Sequence, residues 1–152
     1  MAFTFSQTNS NNQAGTYNLE ISINPSSAIF NRVLEVGETI AETIAVVNTG
    51  SVNAQVYLTA DWGPALGTTD LDATMLANAL EATVYISATN PEQKYSGSLI
   101  SLQNQLVIST FTPTEEVAIN ISLVVPDNRS GPTLLNKSLH TDFVFVAISV
   151  SG

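Results

Sequence analysis

Apolar and polar residues alternate along most of this chain, starting at its first residue. Met1, Phe3 and Phe5 fall on one side of an extended backbone, and Ala2, Thr4 and Ser6 on the other. A period of two marks a β-strand. The run Thr8 to Gly15 has no such period and reads as a linker. In "GTYNLEISI" the alternation resumes, with Tyr17, Leu19, Ile21 and Ile23 on one face and Pro25 as the stop. "AIFNRVLEV" follows and is closed by Gly37. "ETIAETIAVVN" then places Ile40, Ile44 and Val46 together, and "VNAQVYLTADW" does the same for Val52, Ala54, Val56, Leu58 and Ala60.

The period changes at "TTDLDATMLANALEA". Leu71, Met75, Leu76, Ala79 and Leu80 recur at helical spacing, Thr69 or Asp70 can cap the start, and Asp72 suits the positive end of the helix dipole. Strands return at "ATVYISA", "GSLISL", "QLVIS" and "EEVAINISLVVP". The last, "HTDFVFVAISVSG", is apolar on both faces, as in a central strand. Short strands about 8–12 residues apart, with one helix and no βαβ alternation, predict an all-β, two-sheet antiparallel sandwich.

Composition limits what such a domain does. Charged residues are only 11 %, so Ser, Thr, Asn and Gln make the polar surface. Four basic residues against thirteen acids leave a net charge of −9. That sign repels nucleic acid and anionic membranes. With no cysteine there is neither a disulfide framework nor a thiolate metal site. No apolar run reaches the length of a transmembrane helix. The surface leans extracellular. No signal peptide precedes the opening strand, so an exported chain is expected to have had it removed.

Chemistry has few candidates. The single histidine, His140, lies two positions from Asp142, but no G-x-S-x-G elbow accompanies them and no H-E-x-x-H zinc motif is present. Asp61, Asp70 and Asp72 flank the loop "DWGPALGTTDLD", and oxygen ligands at such spacing could hold calcium, but the EF-hand spacing is absent and capping and solvation explain these acids more simply. Trp62 could stack on a sugar or cover the end of a core. No catalytic residue, metal site or cofactor is assigned. Sequons occur at Asn120, Asn128 and Asn136. Asn120 falls mid-strand, whereas Asn128 and Asn136 fall in loop-like sequence and are the candidate glycosylation sites.

Three stretches, "AGTYNLEIS", "LEVGETIAETIAVVNTGSVNAQVYL" and "NKSLHTDFVFVAIS", resemble the TasA/camelysin family. The matching positions are Ala14-Gly15-Thr16, Leu34, Gly37, Asn48-Thr49-Gly50-Ser51, and Phe143, Phe145 and Ala147. Departures are Val36 where proline is common, Glu38 for aspartate, and Leu139-His140 in place of a tyrosine-glutamine-glycine stretch. The resemblance spans nearly the whole chain and rests on the order and spacing of individually weak motifs. It implies a jelly roll secreted to the cell surface, polymerising into biofilm matrix fibres like those of similar archaeal bundling pili. In such fibres the N-terminal segment of one subunit completes the sheet of the next.

That implication gives the opening strand a role. Residues 1–15 are expected to be a donor strand with its linker, and residues 16–152 the jelly-roll domain. Met1, Ala2, Phe3, Thr4, Phe5, Ser6 and Gln7 would pair with an identical subunit, the linker from Thr8 to Asn12 crossing between the two. Met1, Phe3 and Phe5 would be buried, at about 1.5–3 kcal/mol each before ordering costs. Head-to-tail donation makes a filament, and neighbouring filaments could bundle. Two alternatives stay open. One is a camelysin-like surface metalloprotease, although no recognisable zinc ligand set is present. The other is a monomeric secreted binding module with Trp62 at a sugar site, whose first strand pairs within its own sheet.

Overall fold

A computed structural model describes residues 2–6, 18–25, 37–65, 67–87, 91–126 and 139–150. Its strands are β1 (Ala2–Ser6), β2 (Ile21–Asn24), β3 (Thr39–Asn48), β4 (Ala54–Pro64), β5 (Glu81–Ser87), β6 (Glu92–Ser98), β7 (Leu106–Phe111), β8 (Glu116–Val124) and β9 (Leu139–Ser149). One α-helix, α1 (Asp70–Ala79), lies between β4 and β5. The predicted strand "AIFNRVLEV" lies outside the described residues.

The strands form two sheets, ordered β1-β9-β4-β7 and β2-β3-β8-β5-β6. This is the antiparallel sandwich with one helix that the patterning predicts. Its winding is nested. The hairpin β5–β6 is innermost, β4–β7 lies outside it, and β3–β8 outside that, every pair antiparallel. Successive nested pairs fall in opposite sheets, which is the jelly-roll arrangement. The winding leaves a place beside β9 for the strand preceding β3. Among the described residues the strand preceding β3 is β2, which instead pairs with the free edge of β3, and β1 holds the place beside β9.

Alternation decides what enters the core. Ile44 and Val46 of β3, Val56, Leu58 and Ala60 of β4, Ile119 and Ile121 of β8, and Phe143, Phe145 and Ala147 of β9 are fully buried between the sheets. β9 does lie inside its sheet, between β1 and β4. Its second apolar row does not enter a core: Val144 and Val146 are half-buried and Ile148 is exposed on the outer face.

Two expectations need correction. "GSLISL" is a strand only up to Ser98; Leu99–Gln103 is a 3-10 turn. Leu99 and Leu102 are both buried, a spacing of three that an extended strand cannot place on one face. The missed strand, β6, is polar in "EQKYSGS" and sits at the sheet edge, where alternation is weak. In α1 the apolar face is shifted: Leu76, Ala79 and Leu80 turn inward as predicted, but Leu71 is 69 % exposed and Met75 39 %, while Ala73 and Ala77 are buried. The helix packs on β4 and the 3-10 turn. Thr69 is the cap, its hydroxyl accepting from the Asp72 amide at 3.1 Å.

One end of the sandwich is tied by Asn48, a fully buried polar residue. Its Nδ2 donates to the carbonyls of Val52 at 2.8 Å and Phe111 at 3.0 Å. Its Oδ1 accepts from the Gly50 amide at 3.0 Å. Its own backbone accepts from Thr114 and donates to the Glu115 carbonyl. One side chain thus joins the β3–β4 turn to the end of β7. The turn also holds the chain entering β2: the Thr49 and Gly50 amides donate to the Glu20 carbonyl, the Ser51 amide to the Asn18 carbonyl, and the Asn18 amide to Ser51 Oγ. The approach requires glycine. A methyl on Gly50 would fall on the Asn18 carbonyl and within 2.8 Å of the Glu20 amide.

Asn48→Ala should therefore cost about 2–4 kcal/mol, because the Val52 and Phe111 carbonyls lose a buried donor and the Gly50 amide keeps only the Glu20 carbonyl. Asn48→Asp should cost at least as much, since it sets a buried carboxylate against two carbonyls. Gly50→Ala should cost about 2 kcal/mol or more through backbone displacement. Urea midpoints at unchanged slope measure all three.

Tyr95 yields a pH prediction. Its hydroxyl donates to the Ser98 carbonyl at 2.6 Å. Burial raises its pKa above the ordinary tyrosine value, outweighing hydrogen bonds to Ser101 and Ser98 that lower it. The unfolded chain releases this proton at about pH 10 and the folded chain at higher pH. The contribution is thus complete below about pH 10 and is lost as pH rises through the folded value. Tyrosinate absorbance should show one of the four tyrosines ionising late, and Tyr95→Phe should remove that late phase.

Candidate functional site: an acceptor edge on β9

β9 has two edges. β4 covers one along its whole length, from Ala54 opposite Ser149 to Pro64 opposite Leu139. β1 covers the other over five positions: Ala2 opposite Asp142, Phe3 opposite Phe143, Thr4 opposite Val144, Phe5 opposite Phe145, and Ser6 opposite Val146. This ladder is parallel, and every other ladder among the described residues is antiparallel. Without it, five residues of β9 backbone would lie unpaired beside fully buried phenylalanines.

The sequence assigned Met1–Gln7 to another molecule, whereas Ala2–Ser6 pairs here within its own chain. Among the described residues no other strand meets this edge, and unpaired edge backbone beside a core is costly. Met1 and Gln7 themselves lie outside the described residues. β1 and the body of the domain are joined by residues 7–17, which reach about 36–40 Å when extended. The edge is thus filled by a segment on a long tether.

The acceptor residues Asp142–Val146 did not stand out as a site in the sequence. A signal was present. β1 reads Phe-Thr-Phe and β9 reads Phe-Val-Phe, two strands with the same spacing of aromatic positions.

The other candidates are dispersed. Asp61 on β4 sits opposite Asp142 on β9, while Asp70 and Asp72 lie in the first turn of α1. Among the described residues no group of three or more His, Cys, Asp or Glu side chains could hold a metal ion. His140 is exposed at the start of β9, with its ring over Gly63, where a methyl would come within 3.3 Å of Cε1. Trp62 packs against the core. Its Nε1 and the Oγ1 of Thr141, the residue opposite it, are buried without a hydrogen-bond partner. Asn120 is half-buried on β8, its Nδ2 donating to Thr43 Oγ1 at 3.2 Å. Asn128 and Asn136 lie outside the described residues.

The outer face of the β1-β9-β4-β7 sheet is poor in charge around its centre. Val146 of β9 and Val107 of β7 both sit opposite Tyr57 of β4, and Tyr57 donates its hydroxyl proton to Gln55 Oε1 at 3.0 Å. Asp61, Asp142 and His140 gather at the end where β9 begins. No helix among the described residues is long and apolar enough to cross a membrane.

No protein-family model and no curated protein matches the chain. Among solved structures, a similar chain is AvmM, which catalyses macrocyclization in alchivemycin A biosynthesis. It is 8 % identical, with a TM-score of 0.41 over 88 % of this chain and 90 % of that one.

Proposed function

We propose that the protein is the structural subunit of an extracellular fibre, and that β9 is its joint: the N-terminal strand of one subunit pairs with β9 of the next. One observation supports this above others. The strand that completes the β9 edge is β1, held in the one ladder among the described residues that departs from the antiparallel winding, and joined to the body by residues 7–17, a length that can reach a neighbour. Exchanging such a segment between identical molecules replaces one set of contacts by an equivalent set, as in domain swapping. Strand addition supplies main-chain hydrogen bonds for affinity and alternate side chains for specificity. In a dilute monomer the tethered strand has an effective concentration of order millimolar. Assembly therefore needs concentrated subunits or a growing end. In this reading the protein acts outside the cell, binds copies of itself, and performs no catalysis.

A second reading draws on the same pairing. A monomeric secreted binding module would keep its first strand in its own sheet, as this chain does. It stays monomeric at any concentration, which distinguishes it from the fibre subunit.

Deleting residues 1–7 should leave a folded domain that forms no filaments, since β2 to β9 retain the core. The peptide MAFTFSQ in excess should raise its melting temperature; at a hundred times Kd the gain is about 2.7 kcal/mol. Phe3→Asp with Phe5→Asp in the full chain should mimic the deletion, while changes at Thr4 and Ser6 to Asn should matter less. Filament yield by negative-stain microscopy and thermal unfolding check this. Normal filaments from the truncated chain would sink the proposal.

Lateral association should depend on ions and acid. Subunits of net charge −9 repel at low salt, and salt shortens the range of that repulsion. Light scattering should rise with divalent cations, or as pH falls towards about 4, where carboxylates begin to protonate. Bundling indifferent to both would point to apolar contacts instead.

A further inference from the structure

The ends of the sandwich differ, and the tether is fixed to one of them. Asn18, where the tether joins the body, is held by the turn Thr49–Ser51 beside Asn48. β9 finishes at this same pole, the Val150 amide donating to the Asn53 carbonyl at 3.0 Å. The opposite pole carries the start of β9, with His140 opposite Gly63 and Leu139 opposite Pro64. β1 runs parallel to β9, so Ser6, opposite Val146, heads for the Asn48 pole. The tether therefore joins two points at one end of the molecule.

Within one chain an antiparallel β1 would be the costlier choice. Its Ser6 would lie opposite Asp142, and the path back to Asn18 would run the seven residues from Asp142 to Ser149, about 24 Å at about 3.4 Å per residue, and cross about 10 Å between the sheets. That takes roughly two thirds of the reach of the tether and restricts its conformational freedom. The tether thus selects the parallel direction in a lone chain. A strand from another molecule is free of that selection.

Direction also decides the symmetry of the assembly. A donor's tether always leaves its own Asn48 pole. Inserted parallel to β9, the donor strand enters the acceptor from the acceptor's Asn48 pole, so like poles meet and reciprocal exchange closes a two-fold dimer. Inserted antiparallel, it enters from the His140 pole, so unlike poles meet and growth continues. The strand pattern permits both. Centred on Thr4 opposite Val144, reversal sets Phe3 against Phe145 and Phe5 against Phe143, and the alternation is kept. Antiparallel pairing is also somewhat stronger per residue and restores the sense of the nested winding.

We propose, resting on the fibre reading above, that β9 accepts the N-terminal strand of the next subunit in the antiparallel direction, and that the parallel pairing of the single chain is the closed, non-propagating form of the same joint. The partner surface is the edge Asp142–Val146, and the ligand is an extended segment with aromatic residues two apart.

The chain has no cysteine, so paired cysteines test this without interference. A2C/D142C reports the parallel register; A2C/V146C and A2C/I148C report two antiparallel registers. Filaments assembled under reducing conditions and then oxidised should give ladders of covalent multimers on non-reducing gels with an antiparallel pair, and none with A2C/D142C. Unassembled A2C/D142C should close within one chain, block filament growth, and release it on reduction. Ladders from A2C/D142C filaments would overturn the direction while leaving strand donation intact. Filaments linked by none of the three pairs would overturn strand donation itself.

Discussion

β9 buries Phe143, Phe145 and Ala147 completely between the two sheets, while β4 satisfies only one edge of its backbone. A strand so placed requires a partner on its second edge, because open backbone groups beside a core are costly and invite association. The nested winding would bring that partner from the strand before β3, but β2 lies in the other sheet. Everything distinctive about the molecule follows from this shortfall. The edge is completed by β1, in the one orientation that differs from the other described ladders.

The terminus can serve because of what happens at the Asn48 pole. Asn48, Gly50 and Ser51 pin residues 18–20 against the β3–β4 turn, so the chain leading to β2 starts from a fixed point. Leu19 is buried just beyond the clamp. Disturbance of β1 therefore need not propagate into the core. In the fibre reading proposed above, this fixed point is what gives strand exchange a direction.

The surface separates apolar from charged positions. The outer face near Tyr57, Val107 and Val146 is apolar and poor in charge, whereas Asp61, Asp142 and His140 are confined to one end. His140 and Asp142 share a face of β9, and among the described residues no group of three or more His, Cys, Asp or Glu side chains could hold a metal ion there. Trp62, the candidate for sugar stacking, packs against the core instead. The buried, unpartnered Trp62 Nε1 and Thr141 Oγ1 mark the end of that core.

The sequence by itself determined the sandwich. Period-two alternation in "ETIAETIAVVN", "AQVYLTA" and "EVAINISLV" names the strands and their buried sides, since a half-buried strand shows its environment in every second residue; "FVFVA", apolar on both faces, named a strand but not its buried side. The sequence also marked α1 and left its cap between Thr69 and Asp70, which the structure decides for Thr69. Where burial is not periodic, the sequence was mute or misleading. The edge strand β6 is polar throughout, the turn at Leu99 buries residues three apart, and α1 turns its alanines rather than Leu71 and Met75 towards β4. The aromatic alternation at Phe3 and Phe5 declared a strand but not its partner. Periodicity records which side of a strand is covered and carries nothing about which edge it meets, or in which direction. Those were decided by the tertiary structure: the winding left β9 short of a neighbour, and the tether fixed at Asn18 brought the terminus to it in parallel.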